Sequence, residues 1–364
     1  MSETLTSVSE RLPQEIGLIG GGVIGGGWAA RFMLNGVNVK LYDPVKNTFE
    51  RVQERVDRAR RAFQKLTQVS LPPEGSLTVV DSVEEAVRGV DFVQENAPER
   101  LELKQQLLAQ ACRAAAPHAL ICSSTSMLQP SLLQTQMPRP ERLVVAHPFQ
   151  PVYLVPLVEL CAGERTAPEM LSRAAEVFRA VGMHPLVVRK EVYGFIANRI
   201  QTAAWREALW LVKDGLATVQ EIDDAVRYSI GLRRPVLGPF LTYLVGSGEA
   251  DLRALLKRWG PESKEASKLE VSPEYTDAFV NLLSEQGAAQ AAAENMTIAK
   301  YQEMLDDGLV GVLQGLRSQG CGAGETLARW EQSLRLRSSI PLCDHPGEKT
   351  DGQTGPQPPR APDQ

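Results

Sequence analysis

The sequence contains few of the residues that bind metal ions or form disulfides, with 4 histidines and 5 cysteines among 364 residues. No two histidines have the spacing of metal ligands, and no two cysteines form a CxxC pair, so we expect no metal site. The cysteine count is odd, and Cys112, Cys122 and Cys161 lie in apolar stretches. This pattern predicts buried thiols in a cytoplasmic protein, because disulfides are concentrated in secreted chains.

The sequence also lacks an excess of positive charge and a long apolar run. Its 39 basic side chains are outnumbered by 44 acidic ones, which gives a formal net charge of −5. Nucleic-acid-binding domains usually concentrate basic residues, so we expect no nucleic-acid partner. No apolar run is long enough to span a bilayer, and the N-terminus is too polar and acidic for a secretory signal. We therefore expect no membrane partner and a small-molecule substrate.

The apolar fraction, 43% of the chain, is large enough for two domains. From residue 15 to about residue 190, short β-rich runs alternate with helical stretches, which include a charged helix over residues 49–66. The predicted strands are residues 16–19, 39–43, 77–80, 92–95, 120–123, 143–147, 157–160 and 186–189. This alternation predicts an α/β fold, a Rossmann-type doubly wound sheet with mainly parallel strands. Pro148, Pro151 and Pro156 interrupt the later connections, so the strands there can reverse direction.

A glycine-rich turn after the first strand has the spacing of a dinucleotide-binding site. In the GxGxxG pattern, Gly20 permits the tight turn and Gly22 lets the backbone approach a phosphate. Gly25 lets the helix pack closely on the strand. Asp43 ends the second strand roughly 20 residues downstream, where an acid binds ribose hydroxyls and repels a 2′-phosphate. The sequence therefore predicts NAD rather than NADP, and the alternative is an ordinary turn of another α/β protein. The predicted cofactor-binding residues of this region are Gly20, Gly22, Val23, Ile24, Gly25 and Asp43.

Helical periodicity replaces the alternation after residue 192. The predicted helices are residues 195–213, 219–228, 250–258, 277–285 and 297–316, and Thr218 and Glu221 have capping-box spacing before the second of them. We therefore divide the chain into a polar N-terminal extension (1–14), an NAD-binding Rossmann domain (15–192), an all-helical C-terminal domain (193–333) and a tail (334–364). The tail has too little apolar content for a core, and we expect it to be disordered.

Oxidation of an alcohol by NAD requires a base for the hydroxyl proton and hydrogen-bonding groups near the oxygen. His147 ends an apolar strand, at the carboxyl edge where such sheets bind ligands. Glu159 stands within an apolar run, where a carboxylate needs a partner, so we predict that it pairs with His147. Taken alone, His147 is better explained as a core or turn histidine. Ser126, at another strand end, fits a substrate site or a cap equally well, and Asn198 alone is better explained as a cap.

Several stretches beyond the glycine-rich turn resemble the 3-hydroxyacyl-CoA dehydrogenase superfamily, over about residues 15–330. They are residues 94–104 (QENAPERLELK), 124–129 (STSMLQ), 145–151 (VAHPFQP), 156–159 (PLVE) and 194–199 (GFIANR). The resemblance implies an NAD-dependent dehydrogenase that oxidises the 3-hydroxyl group of a small L-3-hydroxy acid. It implies that His147 is the catalytic base, that Glu159 is its carboxylate partner, and that the helical domain forms a homodimer.

The resemblance also implies roles for residues around these two. Ser126 and Asn198 match the polar groups that surround the substrate oxygen, and Glu95 and Lys104 match positions beside the nicotinamide half of NAD. One position departs from the pattern, because Gln150 stands where the family commonly has asparagine. Its longer side chain keeps the amide and shifts the expected position of the substrate.

L-Carnitine is the substrate that the sequence favours. Residues 45–75, equivalent to a CoA-binding hairpin in acyl-CoA members, are short and place arginines among acids, and five stretches resemble carnitine-oxidising members: residues 25–32, 92–95, 205–212, 214–218 and 221–228. A trimethylammonium group donates no hydrogen bond, so its site needs aromatic faces or a carboxylate. The aromatic candidates, each of which is otherwise explained by packing, are Phe149, Tyr153, Tyr193 and Trp205. The alternatives are L-gulonate, a 3-hydroxyacyl-CoA, and a crystallin-like structural protein that binds NAD without catalysis.

Overall fold

The computed structural model describes residues 12–247, 274–293 and 295–339, together with residue 254. The N-terminal residues before 12, most of the helix expected at 250–258 and the tail after residue 339 lie outside the described residues. Within the described ranges, no helix is both long enough and apolar enough to cross a membrane.

One sheet contains eight strands, and its carboxyl edge carries the candidate site. The strands are β1 (Glu15–Ile19), β2 (Asn38–Tyr42), β3 (Leu77–Val80), β4 (Phe92–Glu95), β5 (Leu120–Ser123), β6 (Leu143–Pro148), β7 (Leu157–Ala162) and β8 (His184–Val188). Their order is β3-β2-β1-β4-β5-β6-β7-β8, and every neighbouring pair is parallel except β6 with β7. The predicted Rossmann-type sheet is confirmed, and so is a reversal of direction in the proline-rich region after β6.

Helices cover both faces of the sheet, which explains why central strands such as β6 are buried along their whole length. The helices are α1 (Val23–Met33), α2 (Thr48–Leu66), α3 (Val83–Val87), α4 (Leu101–Ala114), α5 (Pro130–Leu133) and α6 (Pro168–Ala180). On one face α1, α2 and α6 pack around Trp28, Phe63 and Phe178, and the ring centroids of Trp28 and Phe178 are 5.0 Å apart. On the other face α3 and α4 pack around Val87 and Leu108.

A series of helices follows the sheet. They are α7 (Ala197–Lys213), α8 (Val219–Ala225), α9 (Gly231–Arg233), α10 (Pro239–Ser247), α11 (Asp277–Ala293), α12 (Ile298–Gln319) and α13 (Ala323–Ser339). The capping box predicted before α8 is confirmed, because Thr218 accepts from Glu221 N and the Glu221 side chain accepts from Thr218 N. Helices α7 and α11 share a small core that includes Leu209 and Phe279.

The last two helices return to the first part of the chain and complete its core. The Trp330 ring meets the Phe63 ring edge-on at 5.2 Å, and Trp330 Nε1 donates to Asn35 Oδ1 at 2.8 Å. Leu334 is 1% exposed, and α13 continues to Ser339, past the end expected at residue 333. The tail was expected to start at residue 334, but the structure shows helix over residues 334–339, where Leu334 packs into the core of the first part of the chain. The division of the chain into separate domains stays a prediction.

Candidate active site

The turn between β1 and α1 has the shape that its glycine spacing predicts. Gly20 has a φ of +92°, in the left-handed region that glycine adopts without strain. A Cβ at Gly25 would lie 1.8 Å from the Gly20 carbonyl oxygen, so only glycine allows the helix to start this close to the strand. A Cβ at Gly22 would meet no atom within 4 Å, and no side chain caps the helix there. The first N–H groups of α1 therefore border open space, as a pyrophosphate site requires.

Asp43 lies beside this turn, directly after β2. Its Oδ2 accepts a hydrogen bond from Gly21 N at 2.6 Å, which holds the carboxylate next to the glycines. An acid in this position is the group that binds the ribose hydroxyls of a dinucleotide. The open cradle at Gly22, the uncapped helix and this acid together fit NAD. Val23 and Ile24 are the first helical residues, so their backbone amides would lie beside the phosphates of a bound NAD.

His147 and Glu159 face each other across strands β6 and β7. They are register partners in the antiparallel pair, and His147 Nδ1 lies 2.9 Å from Glu159 Oε2. His147 is 5% exposed and Glu159 is fully buried. Because an ionised carboxylate only accepts hydrogen bonds, Nδ1 is the donor, and in the neutral ring the lone pair is then on Nε2. In that tautomer the imidazole is able to accept a proton at Nε2.

The first turn of α7 satisfies the second oxygen of the Glu159 carboxylate. Oε1 accepts hydrogen bonds from the backbone N–H groups of Ile196 and Ala197, both at 2.9 Å. These donors and the positive end of the helix dipole stabilise a charge that burial alone would disfavour. Phe195, buried with a φ of +48°, forms the turn that directs both N–H groups at the carboxylate, and its ring lies 5.6 Å from that of His147.

The loop after β5 carries Ser126, and Glu99 fixes its conformation. Glu99 Oε1 accepts from the backbone N–H groups of Ser126 and Met127, both at 3.0 Å, and from the Thr125 hydroxyl. Ser123 and Ser124 donate to other side chains. Within the described part of the chain, Ser126 is the member of this run whose hydroxyl has no hydrogen-bond partner, so it is available to a ligand. Sequence reasoning missed Glu99, because its contacts lie 26–28 residues away and no local pattern encodes them.

Glu95 and Lys104 form a buried ion pair at the end of β4, and their role beside NAD stays a prediction. Lys104 is 1% exposed, and its Nζ lies 2.9 and 3.1 Å from the two oxygens of the fully buried Glu95. A third Nζ bond reaches Ala97 O at 2.9 Å, and Glu95 also accepts from Ser123. The three N–H donors of Lys104 are thus occupied within the protein. Both charges are paired, as burial requires.

Two of the four aromatic candidates lie beside the candidate site. Phe149 packs edge-on against His147, with ring centroids 4.6 Å apart. Tyr193 is 63% exposed, and its hydroxyl contacts Met127 Sδ at 2.8 Å, next to Ser126. Trp205 is 58% exposed and lies two turns along α7, and no contact among the described residues brings it to His147.

Tyr153 is not a substrate candidate, which corrects the fourth aromatic assignment. It is 5% exposed and belongs to the core on the α1 and α2 face of the sheet, whereas His147 contacts Phe195 in the core on the other face. Its hydroxyl donates to Asp306 Oδ2 at 2.8 Å. Burial and Asp306 together raise the pKa of the Tyr153 hydroxyl well above its usual value. The chain crosses between the two faces after Phe149, which sequence periodicity does not reveal.

Asn198 lies in the first turn of α7, next to Ala197, one of the two donors to Glu159. It is half-buried and close in sequence to the turn at Phe195. The start of α7 therefore brings Asn198 to the same region as the His147–Glu159 pair. A general base, an orienting carboxylate, a hydroxyl and an amide at the carboxyl edge of a dinucleotide-binding sheet suit proton removal from a substrate alcohol.

Comparison with family models gives a match over most of the chain. Residues 15–192 match the 3-hydroxyacyl-CoA dehydrogenase, NAD binding domain, and residues 194–278 match the 3-hydroxyacyl-CoA dehydrogenase, C-terminal domain.

Curated relatives are similar over a comparable length. An L-carnitine dehydrogenase of Mesorhizobium japonicum is 44% identical over 308 residues, which cover 84% of each chain. An L-carnitine dehydrogenase of a Pseudomonas species is 43% identical over 85% of this chain and 96% of its own. An L-carnitine dehydrogenase/betainyl-CoA thioesterase of Ruegeria pomeroyi is 44% identical over 88% of this chain, which spans only 66% of that longer protein.

Among solved structures, an NAD+-dependent 5-formyl-3-hydroxy-2-methylpyridine 4-carboxylic acid 5-dehydrogenase is similar in fold and sequence. It has a TM-score of 0.68 and 27% identity, over 83% of this chain and 98% of its own. The 3-hydroxybutyryl-CoA dehydrogenase of Escherichia coli has a TM-score of 0.52 and 26% identity, over 71% of this chain and 55% of its own.

The glycine turn predicts separable effects on folding and on cofactor binding. Gly22→Ala adds a methyl group only to the open cradle, so we expect an unchanged melting temperature and NADH binding weakened by about tenfold or more, because phosphate needs close approach of the backbone. Gly308→Ala is the control, since a Cβ there also meets nothing within 4 Å but lies on α12. Calorimetric titration measures both affinities. Equal NADH affinity in the two variants would contradict the cradle.

Proposed function

The chain belongs to the 3-hydroxyacyl-CoA dehydrogenase family and is an NAD-dependent dehydrogenase acting on a CH–OH group; from this premise we propose that its substrate is L-carnitine, which it converts to 3-dehydrocarnitine. The observation that supports the proposal most strongly is the buried pair of His147 and Glu159, 2.9 Å apart, with Phe149 packed against the imidazole. The pair supplies the chemistry of the family, and Phe149 supplies an aromatic surface beside it.

His147 performs the proton transfer in this proposal. Its Nε2 accepts the proton of the substrate 3-hydroxyl, while the bond from Nδ1 to Glu159 keeps the ring in one tautomer and stabilises the imidazolium that forms. Ser126 and Asn198 hydrogen-bond the substrate oxygen and fix its distance from the base. NAD, when bound at the glycine turn, supplies the hydride acceptor.

The surface of α2 argues against CoA as part of the substrate. Three of its cations are already paired with acids. The pairs are Arg58–Asp306 (3.2 Å), Arg60–Asp57 (2.6 Å), Arg60–Glu74 (2.9 Å) and Lys65–Asp307 (2.6 Å). A nucleotide phosphate at this helix would compete with these acids. Paired cations on a surface covered by α12 favour a small substrate that lies wholly at the carboxyl edge of the sheet.

The aromatic residues fit the trimethylammonium end of L-carnitine. Such a group gains energy from aromatic faces and donates no hydrogen bond, unlike the hydroxyls of a sugar acid. Phe149 packs against His147, and Tyr193 contacts Met127 beside Ser126, which supports an aromatic lining on two sides of the proposed site. Relatives named L-carnitine dehydrogenase are 43–44% identical to this chain over about 310 aligned residues, which supports the same choice.

We also propose that the protein is a cytoplasmic homodimer. Large apolar side chains on or near α7–α10 are 66–76% exposed: Leu216, Tyr228, Leu232, Phe240, Tyr243 and Val245. So much exposed apolar surface in one segment is typical of an interface, and a second copy of the same segment buries it on both sides.

Cys112, Cys122 and Cys161 are buried free thiols, and burial raises the pKa of Cys161 to about 12. Such thiols suit a reducing compartment.

A substrate panel tests the proposed reaction. We expect NADH formation, followed by absorbance, to be fastest with L-carnitine and absent with D-carnitine, because one enantiomer alone presents its hydroxyl to His147 while the cation lies at Phe149. L-Gulonate and 3-hydroxybutyryl-CoA are the competing substrates. A higher kcat/KM for either of them would reject L-carnitine, and no oxidation of any of the four would reject the dehydrogenase role of the site.

Substitutions of the His147–Glu159 pair separate proton transfer from folding. We expect His147→Gln to lower kcat by about 10³-fold or more with NADH affinity retained, since removal of a general base costs about this much. Glu159→Gln removes the charge opposite the imidazolium, so the midpoint of the acidic limb of the pH–rate profile moves to lower pH. Steady-state kinetics over a range of pH measures kcat and the acidic limb. Near-normal turnover in His147→Gln, or an unmoved acidic limb in Glu159→Gln, contradicts the assignment.

The proposed dimer predicts a change of mass when its apolar face is charged. In the double variant Phe240→Asp/Tyr243→Asp we expect a monomer, because two carboxylates would be buried without partners in the interface. Light scattering after gel filtration measures the mass, and Met304→Asp, an exposed position on α12, is the control that stays dimeric. A wild-type protein with the mass of a single chain would reject the dimer.

A further inference from the structure

One face of α1 contacts the two loops that carry the candidate catalytic groups. Trp28 is fully buried, and its Nε1 donates to Ser124 Oγ at 3.0 Å. Ser124 also accepts from Gln94 Nε2 at 2.7 Å and donates to Asn96 Oδ1 at 2.7 Å, so its hydroxyl is fully used. Ser124 stands two residues before Ser126. The indole therefore fixes the start of the loop from which Ser126 reaches the substrate oxygen.

Arg31 makes the second contact, one turn further along the same helix. It is 4% exposed, and its Nε donates to Val152 O at 2.9 Å. Its Nη1 donates to Val181 O at 2.9 Å and to Gly182 O at 3.4 Å, so that each described partner of the guanidinium is a carbonyl oxygen. Burial lowers the pKa of Arg31 to about 9, and the side chain therefore still carries its charge at neutral pH.

A charge in this position is costly for stability alone. An apolar side chain of similar size would fill the space beside Phe63 without desolvating a guanidinium. The planar guanidinium of Arg31 instead fixes the positions of two segments, because its N–H groups donate to Val152 O and to the turn after α6. Gly27 reinforces the contact, since a Cβ there would lie 2.8 Å from Val152 Cβ. The helix thus touches the loop that begins at Phe149 through both backbone and side chain.

We propose that Trp28 and Arg31 are positioning residues that keep the Ser126 loop and the Phe149 loop in register with the cofactor-binding helix. The N-terminus of α1 borders the pyrophosphate site, so one rigid element sets the position of the cofactor and of both loops. Reacting groups must be held within a fraction of an ångström for efficient transfer. The kinetic consequences rest on the proposed function, whereas the mechanical coupling of the loops to α1 does not.

The test compares each change with a chemically identical change elsewhere in the core. Trp28→Phe removes the indole N–H that donates to Ser124. Its control is Trp330→Phe, on α13, which removes the indole N–H that donates to Asn35. Arg31→Met removes the fork, and its control is Arg142→Met. Arg142 is 2% exposed and bonds the carbonyl oxygens of residues 112 and 116, both at 2.5 Å, at the opposite edge of the sheet.

Hydrogen–deuterium exchange of the NADH complexes reads the loops without any substrate. We expect amide exchange to be faster at residues 124–128 in Trp28→Phe and at residues 149–156 in Arg31→Met. The NADH affinity of both variants stays unchanged, and the controls show neither acceleration. Equal exchange in variants and controls, or an acceleration spread evenly over the chain, would overturn the proposal. Because the four variants are independent, failure of Arg31→Met to fold leaves the comparison for Trp28→Phe intact.

Steady-state kinetics with the 3-hydroxy acid that the wild type oxidises is the second measurement. Trp28→Phe is expected to lower kcat by about tenfold with little change in KM, because Ser126 acts on the reacting oxygen. Arg31→Met is expected to raise KM by about tenfold, because the Phe149 loop contacts the substrate body, and both pH–rate profiles stay unchanged. Kinetics identical to the controls would overturn the positioning role. A wild type that oxidises no 3-hydroxy acid rejects the proposed function, while the exchange measurement still decides the coupling.

Discussion

The candidate site depends on one buried carboxylate whose charge is satisfied by donors from two parts of the chain. Glu159 receives hydrogen bonds from His147 on the neighbouring strand and from Ile196 and Ala197 at the start of α7. An uncompensated charge at this depth would cost several kcal/mol, of order 3–5, so neither contact is optional. The strand register aligns the imidazole, and the turn at Phe195 aligns the helix. The same carboxylate therefore fixes the base and the first helix beyond the sheet relative to each other.

Other charged side chains hold the segments around this carboxylate. Lys104 and Glu95 form a buried pair, the more exposed Glu99 holds the backbone around Ser126, and the buried Arg31 holds the loop after Phe149. None of these ion pairs or polar contacts is needed to fill the core, which apolar side chains already do. Together they leave the groups of the site with few alternative positions, and this rigidity is what transfer of a hydride and a proton between fixed partners requires.

Patterns that are local in sequence predicted much of this molecule correctly. The glycine spacing, the alternation of strands and helices and the capping box at Thr218 each act within a few residues, and each is found in the structure. His147 and Glu159 were matched because an acid in an apolar run demands a partner nearby. The catalytic roles of these residues stay predictions.

Contacts between distant segments set the limit of sequence reasoning. Glu95 and Lys104 were expected beside NAD from the family resemblance, whereas their direct contact with each other, between a strand and the helix after it, was not predicted. Tyr153 was expected at the substrate because it lies six residues after His147, but the chain crosses to the other face of the sheet between them. The helical region was expected to end at residue 333, and α13 itself was not predicted, because the contacts of Trp330 with Asn35 and Phe63 join distant parts of the chain.

The return of α13 to the first strands has a consequence for synthesis on the ribosome. Trp330 and Leu334 complete a core whose other members, such as Phe63, emerge far earlier. The nucleotide-binding lobe therefore lacks part of its core until residues 323–339 have been synthesised. Until then Phe63 and its apolar neighbours lack their contacts with α13, and incompletely packed apolar surface on a nascent chain is a target for chaperones.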